Sequence, residues 1–198
     1  TNGAEKVLHN FGGTDGWDNG LRATQHLQQW QGCANAIGGL TLGKDGNFYG
    51  TTAIGGFDYG TVFRMTAGGE LTYIFAFDGT NGQGPCAELT QDSEGNLYGT
   101  TADGGPNGKC HGGYGTVFKM NPDGKLLWYV GFNGTNGLHP GTGIVMGPDG
   151  DFYGTTYGGW YTVSNKGEMA FNCGTIFKLS TNGILTSLVW FANTNGAC

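Results

Sequence analysis

Short runs of alternating apolar and polar residues are separated by turn signals, and this whole pattern occurs three times. The repeated phrase reads GNFYGTTAIGG…YGTVFRM, GNLYGTTADGG…YGTVFKM and GDFYGTTYGG…CGTIFKL, beginning at Gly46, Gly95 and Gly150. Runs of β-branched and aromatic residues bounded by Asp-Gly, Glu-Gly or Gly-Gly pairs indicate strands joined by hairpin turns. A unit of about 50 residues favours a propeller of four-stranded blades over a helical solenoid.

Four strands are predicted in each repeat. The first strands are 39–42, 87–91 and 144–147; the second are 48–52, 97–101 and 152–156; the third are 60–65, 115–120 and 174–179; the fourth are 71–77, 126–132 and 185–191. We therefore predict an all-β, β-propeller-type repeat of four-stranded antiparallel blades, with three full repeats plus an extra terminal strand. Residues 1–198 form a single repeat domain in this prediction, with repeats at 37–77, 86–132 and 141–191.

The third strand carries apolar residues on both faces. Phe63 and Met65 share one face by the two-residue period of a strand, and Val62 lies on the other. Coverage on both sides is expected when one blade stacks between two similar blades. We predict that three basic residues lie on the solvated outer part of these strands: Arg64, Lys119 and Lys178.

The two ends of the chain carry the same strand motif. TNGAEKVLHNF at residues 1–11 is equivalent to TNGILTSLVWF at residues 181–191. Propellers close with about four to eight blades, so three blades and an extra strand leave unpaired sheet edges. We therefore expect subunits to share strands head to tail in a ring or filament. Residues 17–36 have no counterpart in the later repeats and are predicted to be an insertion that covers a blade edge or forms a contact surface.

Charge and composition narrow the range of partners. The net charge is −6, and the nine Lys and Arg residues are scattered, which argues against binding to nucleic acid or to an anionic membrane. No apolar run approaches the length of a bilayer span, so membrane insertion is not expected. Few charged residues among many Asn, Thr and Gly suit an extracellular or cell-surface protein. The chain begins at Thr1 without Met, which we interpret as a processed or trimmed form.

The cysteines show no zinc-ligand spacing and are predicted to form disulfides. The candidates are Cys33, Cys86, Cys110, Cys173 and Cys198. Because five is odd, at least one thiol is free or bonded to another molecule. A bond from Cys198 to Cys33 or Cys173 of a neighbouring copy would seal a head-to-tail junction.

No catalytic constellation is recognisable, so we do not expect an enzyme. The four His residues lie in unrelated contexts, and none belongs to a known catalytic motif. No cofactor is predicted; calcium is the alternative, because carboxylates recur in the first hairpin of each repeat, although Asx-Gly turns alone explain them. These carboxylates belong to Asp45, Asp92, Glu94, Asp149 and Asp151.

Loop aromatics provide the best candidates for ligand binding, because aromatic rings stack on the faces of sugars. The candidates are Phe57, Tyr59, Tyr157, Trp160 and Tyr161. Asn133 in Asn-Gly-Thr is a candidate glycosylation site, although the triplet is part of the repeat itself.

The repeated motifs resemble the bacterial choice-of-anchor tandem repeat GloVer-containing family, whose unit is roughly GNLYGTT-x-GG…GTVFK…G-x-L…F-x-G. The resemblance covers three units and most of residues 39–196. It implies a β-propeller-like fold and an exported, surface-anchored protein, and it implies no catalytic residue set. We recognise three full units and no anchoring tail in residues 1–198, and in this we expect the chain to depart from the family.

Three functions are compatible with these observations. We expect an extracellular structural or adhesive repeat protein that forms a homo-oligomer or polymer through its terminal strands. The alternative is a carbohydrate-binding, lectin-like module that binds glycans. A polysaccharide-active enzyme is the third reading.

Overall fold

The computed structural model of this protein describes residues 6–8, 38–55, 59–107, 112–162 and 169–191. Within these ranges all regular secondary structure is β, in three four-stranded antiparallel sheets and one separate hairpin. The prediction of an all-β, propeller-like repeat of four-stranded blades is therefore confirmed. No helix in the described ranges is long and apolar enough to cross a membrane.

Each four-stranded sheet is called a blade. Blade 1 comprises β1 (Thr41–Leu42), β2 (Phe48–Thr52), β3 (Thr61–Met65) and β4 (Leu71–Ala76). Blade 2 comprises β5 (Thr90–Gln91), β6 (Leu97–Thr101), β7 (Thr116–Met120) and β8 (Leu126–Gly131). In blade 3, β9 (Val145–Met146) and β10 (Phe152–Thr156) precede a hairpin of β11 (Gly159–Thr162) and β12 (Met169–Asn172), and β13 (Thr175–Leu179) and β14 (Leu185–Trp190) complete the sheet.

Two details differ from the prediction. The first strand of each blade has only two residues. In blades 2 and 3 the residues before it bond to the preceding blade: the carbonyls of Ala87 and Thr142 accept hydrogen bonds from Thr51 and Thr100. Between the second and third strands of the third repeat, where no strand was predicted, the chain forms the hairpin β11–β12, whose four residue pairs run from Gly159 and Asn172 to Thr162 and Met169.

The repeated phrase is explained by contacts between the second and third strands. The glycine of YGTT faces the phenylalanine of GTVF across the ladder, as Gly99 faces Phe118. A Cβ at Gly99 would lie 2.6 Å from the Phe118 ring, so only glycine leaves room for that side chain. The last Thr of YGTT bonds to the Thr of GTVF, with 2.9 Å between the hydroxyl oxygens of Thr101 and Thr116. The same two contacts recur in blades 1 and 3.

The hydrophobic core lies between blades. We call the side of a blade that bears Phe63 and Met65 or their counterparts the incoming face, and the side that bears Val62 or its counterparts the outgoing face. The outgoing face of blade 1 packs on the incoming face of blade 2, and blade 2 packs on blade 3 in the same way. Edge-to-face ring pairs link the blades: Phe77 with Phe118 at 5.2 Å, and Phe132 with Phe177 at 5.1 Å.

Candidate functional site

The outgoing face of blade 3 is the feature that departs most from the repeat, because no described blade packs on it. We call it the end face; its residues are Tyr153, Thr155, Ile176, Leu188 and Val189. Val62 and Val117 are fully buried, whereas their counterpart Ile176 is partly exposed. Leu188 and Val189 are 46% and 36% exposed. The end face is therefore more exposed than blades 1 and 2 at the positions of Ile176 and Val189, whereas Tyr129, the counterpart of Leu188 in blade 2, is itself 38% exposed.

A Tyr–Asp–Lys cluster stabilises the outgoing face of blade 2. The Tyr98 hydroxyl donates to Asp92 Oδ2 at 3.0 Å, and Lys119 Nζ lies 3.4 Å from the same oxygen and 5.0 Å from the centre of the Tyr98 ring. Burial raises the pKa of Tyr98, and Asp92 adds to the rise. Burial would raise the pKa of Asp92, but hydrogen bonds from Asn96 and Tyr98 and the charge of Lys119 lower it overall. The prediction that Lys119 lies on the solvated part of its strand is wrong, because this cluster holds its side chain at 14% exposure.

The Tyr–Asp hydrogen bond recurs in blade 1, and the full Tyr–Asp–Lys cluster recurs on the end face. In blade 1 the Tyr49 hydroxyl donates to Asp45 at 2.8 Å, and burial together with this hydrogen bond raises the pKa of Tyr49 to about 12. On the end face Tyr153 donates to Asp149 at 2.7 Å, and Lys178 Nζ lies 2.9 Å from that carboxylate. The hydrogen bond from Lys178 holds the pKa of Asp149 well below its usual range. The end face thus keeps the polar cluster of a covered face.

These contacts also account for the carboxylates that suggested calcium. Asp92 accepts hydrogen bonds from the backbone amides of Glu94 and Asn96, so its oxygens close the turn between the first two strands. Among the described residues no group of three or more His, Cys, Asp or Glu side chains could hold a metal ion. Calcium binding stays a prediction.

A His–Asp pair links blade 2 to blade 3. His139 Nδ1 lies 3.0 Å from Asp103 Oδ1 and 2.9 Å from the Ala102 carbonyl oxygen, and Asp103 is buried. His139 has φ +52°, and its counterpart in the preceding repeat is Gly84 at φ +65°. A left-handed conformation costs a non-glycine residue about 1–2 kcal/mol. The nearby carboxylate of Asp103 raises the pKa of His139 above its ordinary value, whereas burial opposes the rise.

Sequence reasoning missed this pair, but a signal was present. Where the second repeat reads TTADGG, the first reads TTAIGG, so Asp103 replaces Ile54. His139 replaces Gly84 in the loop that it contacts. When two residues that both differ from their repeat counterparts lie in contact, they indicate a specific interaction.

Among the described residues, the predicted ligand-binding aromatics lie in blades 1 and 3, and their role stays a prediction. Tyr157 is 77% exposed at the end of β10, and Trp160 and Tyr161 are neighbours in β11. Tyr59 belongs to blade 1 and packs against the core between blades 1 and 2. Phe57 lies outside the described residues.

The remaining predicted sites lie partly inside and partly outside the described residues. Cys86 and Cys173 lie in described loops, whereas Cys33, Cys110 and Cys198 and the insertion 17–36 lie outside the described residues. Disulfide pairing therefore stays a prediction. Asn133 is exposed, and its Oδ1 accepts hydrogen bonds from the amides of Thr135 and Asn136. Asp78 has the same role in the preceding repeat, so the turn alone explains Asn133, and its glycosylation stays a prediction.

Comparisons with known proteins identify a family and a general fold. A family model described as the Gloeobacter/Verrucomicrobia repeat matches residues 1–160 and, in an overlapping second match, residues 36–198. No match was found among curated proteins. Among solved structures, a provisionally named gluconolactonase is 17% identical with a TM-score of 0.43, over 77% of this chain and 62% of that one. A gluconolactonase from Xanthomonas campestris is 14% identical with a TM-score of 0.42, over 77% and 61%. The chain thus spans less than two thirds of either structure.

Proposed function

Because the chain belongs to the Gloeobacter/Verrucomicrobia repeat family, we propose that it is an extracellular structural or adhesive repeat protein that associates through the end face with a further blade of the same kind. Its activity in this proposal is protein assembly rather than catalysis. Disulfides between copies would reinforce the assembly once it has formed.

The observation that supports this proposal is the contrast between equivalent faces in one molecule. Thr51 and Thr100 are buried, and each donates a hydrogen bond to a carbonyl of the following blade, at 3.3 Å to Ala87 and 2.9 Å to Thr142. Their counterpart Thr155 is exposed. A face built in this way is complementary to an incoming blade, because the same chain makes that fit twice.

Apolar burial supplies the driving force for this association. Full burial of a Leu, Ile or Val side chain contributes about 1.5–3 kcal/mol. Ile176, Leu188 and Val189 are already partly buried, so each would add roughly 1 kcal/mol on docking. Binding in the micromolar range requires about 8 kcal/mol in total, so the hydrogen bond of Thr155 and the outer parts of the face must contribute as well.

The test is the mass of the purified chain in solution as a function of concentration. We expect a concentration-dependent increase in mass for the wild type, and at least a tenfold weaker association for Ile176→Lys, which places a charge in the interface. The control is Leu127→Lys, since Leu127 is an exposed leucine of blade 2 outside the end face. A wild-type mass that stays at one copy up to millimolar concentration would refute the proposal.

Glycan binding near blade 3 is the second candidate function. The exposure of Tyr157 favours it, because a free aromatic ring can stack on a sugar. We expect Tyr157→Ala to abolish retention on a polysaccharide column if this candidate is right. Unchanged retention, or no retention of the wild type, would exclude it.

A further inference from the structure

His139 is held at the junction of blades 2 and 3 in a backbone conformation that favours glycine. Among the described residues it is the only non-glycine residue with a positive φ, at +52°. Its amide donates to the Tyr114 carbonyl oxygen at 3.0 Å, and its own carbonyl accepts from the Tyr157 amide at 3.1 Å. Both neighbouring blades thus fix its backbone. Strained residues that their surroundings hold in place in this way cluster at functional sites.

The contacts of the imidazole ring determine where its proton lies. Nδ1 is 2.9 Å from the Ala102 carbonyl oxygen, and because a carbonyl only accepts, Nδ1 donates this hydrogen bond and carries the ring proton. In the neutral ring the lone pair is therefore on Nε2. The polar contacts of the ring with described residues are both made by Nδ1, and 39% of the side chain is exposed. The geometry thus leaves the lone pair of Nε2 accessible to a substrate.

Asp103 places a carboxylate beside this ring. Its Oδ1 lies 3.0 Å from His139 Nδ1, and its side chain is only 3% exposed. Within the part of the chain that the structure describes, this oxygen accepts no hydrogen bond. A buried carboxylate oxygen without a hydrogen bond is costly and calls for a functional explanation. Its charge favours a positive charge on the imidazole ring, which agrees with the direction in which the pKa of His139 is shifted.

We propose that His139 is a nucleophilic catalytic residue that hydrolyses neutral esters, with Asp103 as its positioning residue. This activity goes beyond the assembly proposed above and does not depend on it. The substrate is neutral because Asp103 and the net charge of −6 disfavour an anion at this position. Tyr157, which is 77% exposed and bonded to His139 through its backbone, provides an aromatic surface for the organic part of the ester.

The reaction balances without a cofactor. The Nε2 lone pair forms a bond to the ester carbonyl carbon, and the bond from that carbon to the alcohol oxygen breaks, so the alcohol leaves as its anion. The acylated ring then carries a positive charge beside Asp103. Water adds to the acyl carbon, and the carbon–nitrogen bond breaks with return of its electron pair to Nε2. The proton released by the water neutralises the alcohol anion, so the products are a carboxylic acid and an alcohol.

Hydrolysis of p-nitrophenyl acetate by the purified chain tests this proposal. His139→Gly gives the junction the residue that Gly84 provides at the other junction, so this variant should fold. We expect its second-order rate constant to fall roughly tenfold or more, because the activated imidazole is lost. The control is His26→Gly, which removes a histidine elsewhere in the chain and should change the rate constant by less than about twofold. Equal losses in the two variants, or no loss in His139→Gly, overturn the proposal.

A pH profile separates the role of Asp103 in the reaction from a merely structural role. Attack requires unprotonated Nε2, so the rate constant should rise with pH and level off above the pKa of His139. Among the described residues Asp103 is the charged side chain that raises this pKa, whereas burial lowers it. Asp103→Asn is therefore expected to move the midpoint of the profile to lower pH and to reduce the plateau. An unchanged midpoint overturns the positioning role of Asp103.

Chemical modification provides a measurement that needs no variant. Diethyl pyrocarbonate acylates the unprotonated nitrogen of histidine, and mass spectrometry of peptides from the wild-type protein follows the adduct at each histidine. We expect His139 to react roughly fivefold faster than His26 at a pH above the midpoint of the profile. Equal or slower labelling of His139 overturns its nucleophilic role. The mass in solution is measured separately, so ester hydrolysis and assembly through the end face can fail independently.

Discussion

The outgoing faces of blades 2 and 3 have nearly the same sequence pattern, but only the face of blade 2 is covered by a following blade. Tyr98 and Val117 are fully buried, whereas Tyr153 and Ile176 are partly exposed. The electrostatics follow the same difference: burial is the main reason that the pKa of Tyr98 is raised, whereas for Tyr153 it is the hydrogen bond to Asp149. The comparison shows that the repeat specifies the contacts within a blade and that the neighbour decides how much each contact stabilises.

The largest expected effect is the difference in stability loss between alanine variants of Phe132 and Phe191, two phenylalanines that end the fourth-strand motif. Phe132 is buried against Phe177, so Phe132→Ala should lower the free energy of unfolding by about 3–5 kcal/mol. Phe191 is its partly exposed counterpart, so Phe191→Ala should cost roughly 1 kcal/mol or less at concentrations where the chain is monomeric. Urea denaturation of both variants provides the measurement. Equal losses would show that the two faces are equally covered.

A second pair of variants tests the Tyr–Asp–Lys cluster. Tyr98→Phe removes the hydroxyl that donates to the buried Asp92, so we expect a loss of about 1–3 kcal/mol. Tyr153→Phe removes the same hydrogen bond on the end face, where water can replace it, and should cost roughly 0.5 kcal/mol or less. Thermal unfolding in dilute solution checks both values. A larger loss for Tyr153→Phe than for Tyr98→Phe would contradict the comparison.

The smallest expected effect compares the two junctions between blades. At the junction of blades 2 and 3, His139 occupies the position that Gly84 has at the junction of blades 1 and 2. Because the pKa of His139 is raised in the folded state, its pairing with Asp103 stabilises fully below the unfolded pKa of about 6.5. That stabilisation is lost as the pH rises through the folded-state pKa. We expect the free energy of unfolding of the wild type to decline over this window, and that of His139→Gly to be flatter. Parallel pH profiles for the two proteins would show that the pair does not contribute.

Much of the fold could be predicted from the sequence because its determinants are local. Hairpin turns, two-residue alternation and the Gly–Phe and Thr–Thr pairs all act within one blade, and repetition displays them three times. The extra hairpin β11–β12 occurs in one loop only, so no repetition reveals it. The burial of Lys119 also escaped prediction, because its partners Asp92 and Tyr98 assemble only when the strands pair.

The sequence by itself therefore determined an all-β chain of four-stranded blades, the residues that form each hairpin, and the apolar character of both faces of every blade. Only the tertiary structure decided which of those faces is covered and that His139 meets Asp103. The physical reason is that a blade's hydrogen bonds join residues close in sequence, whereas burial between blades depends on which surface lies opposite, and identical repeats carry no information about where stacking ends.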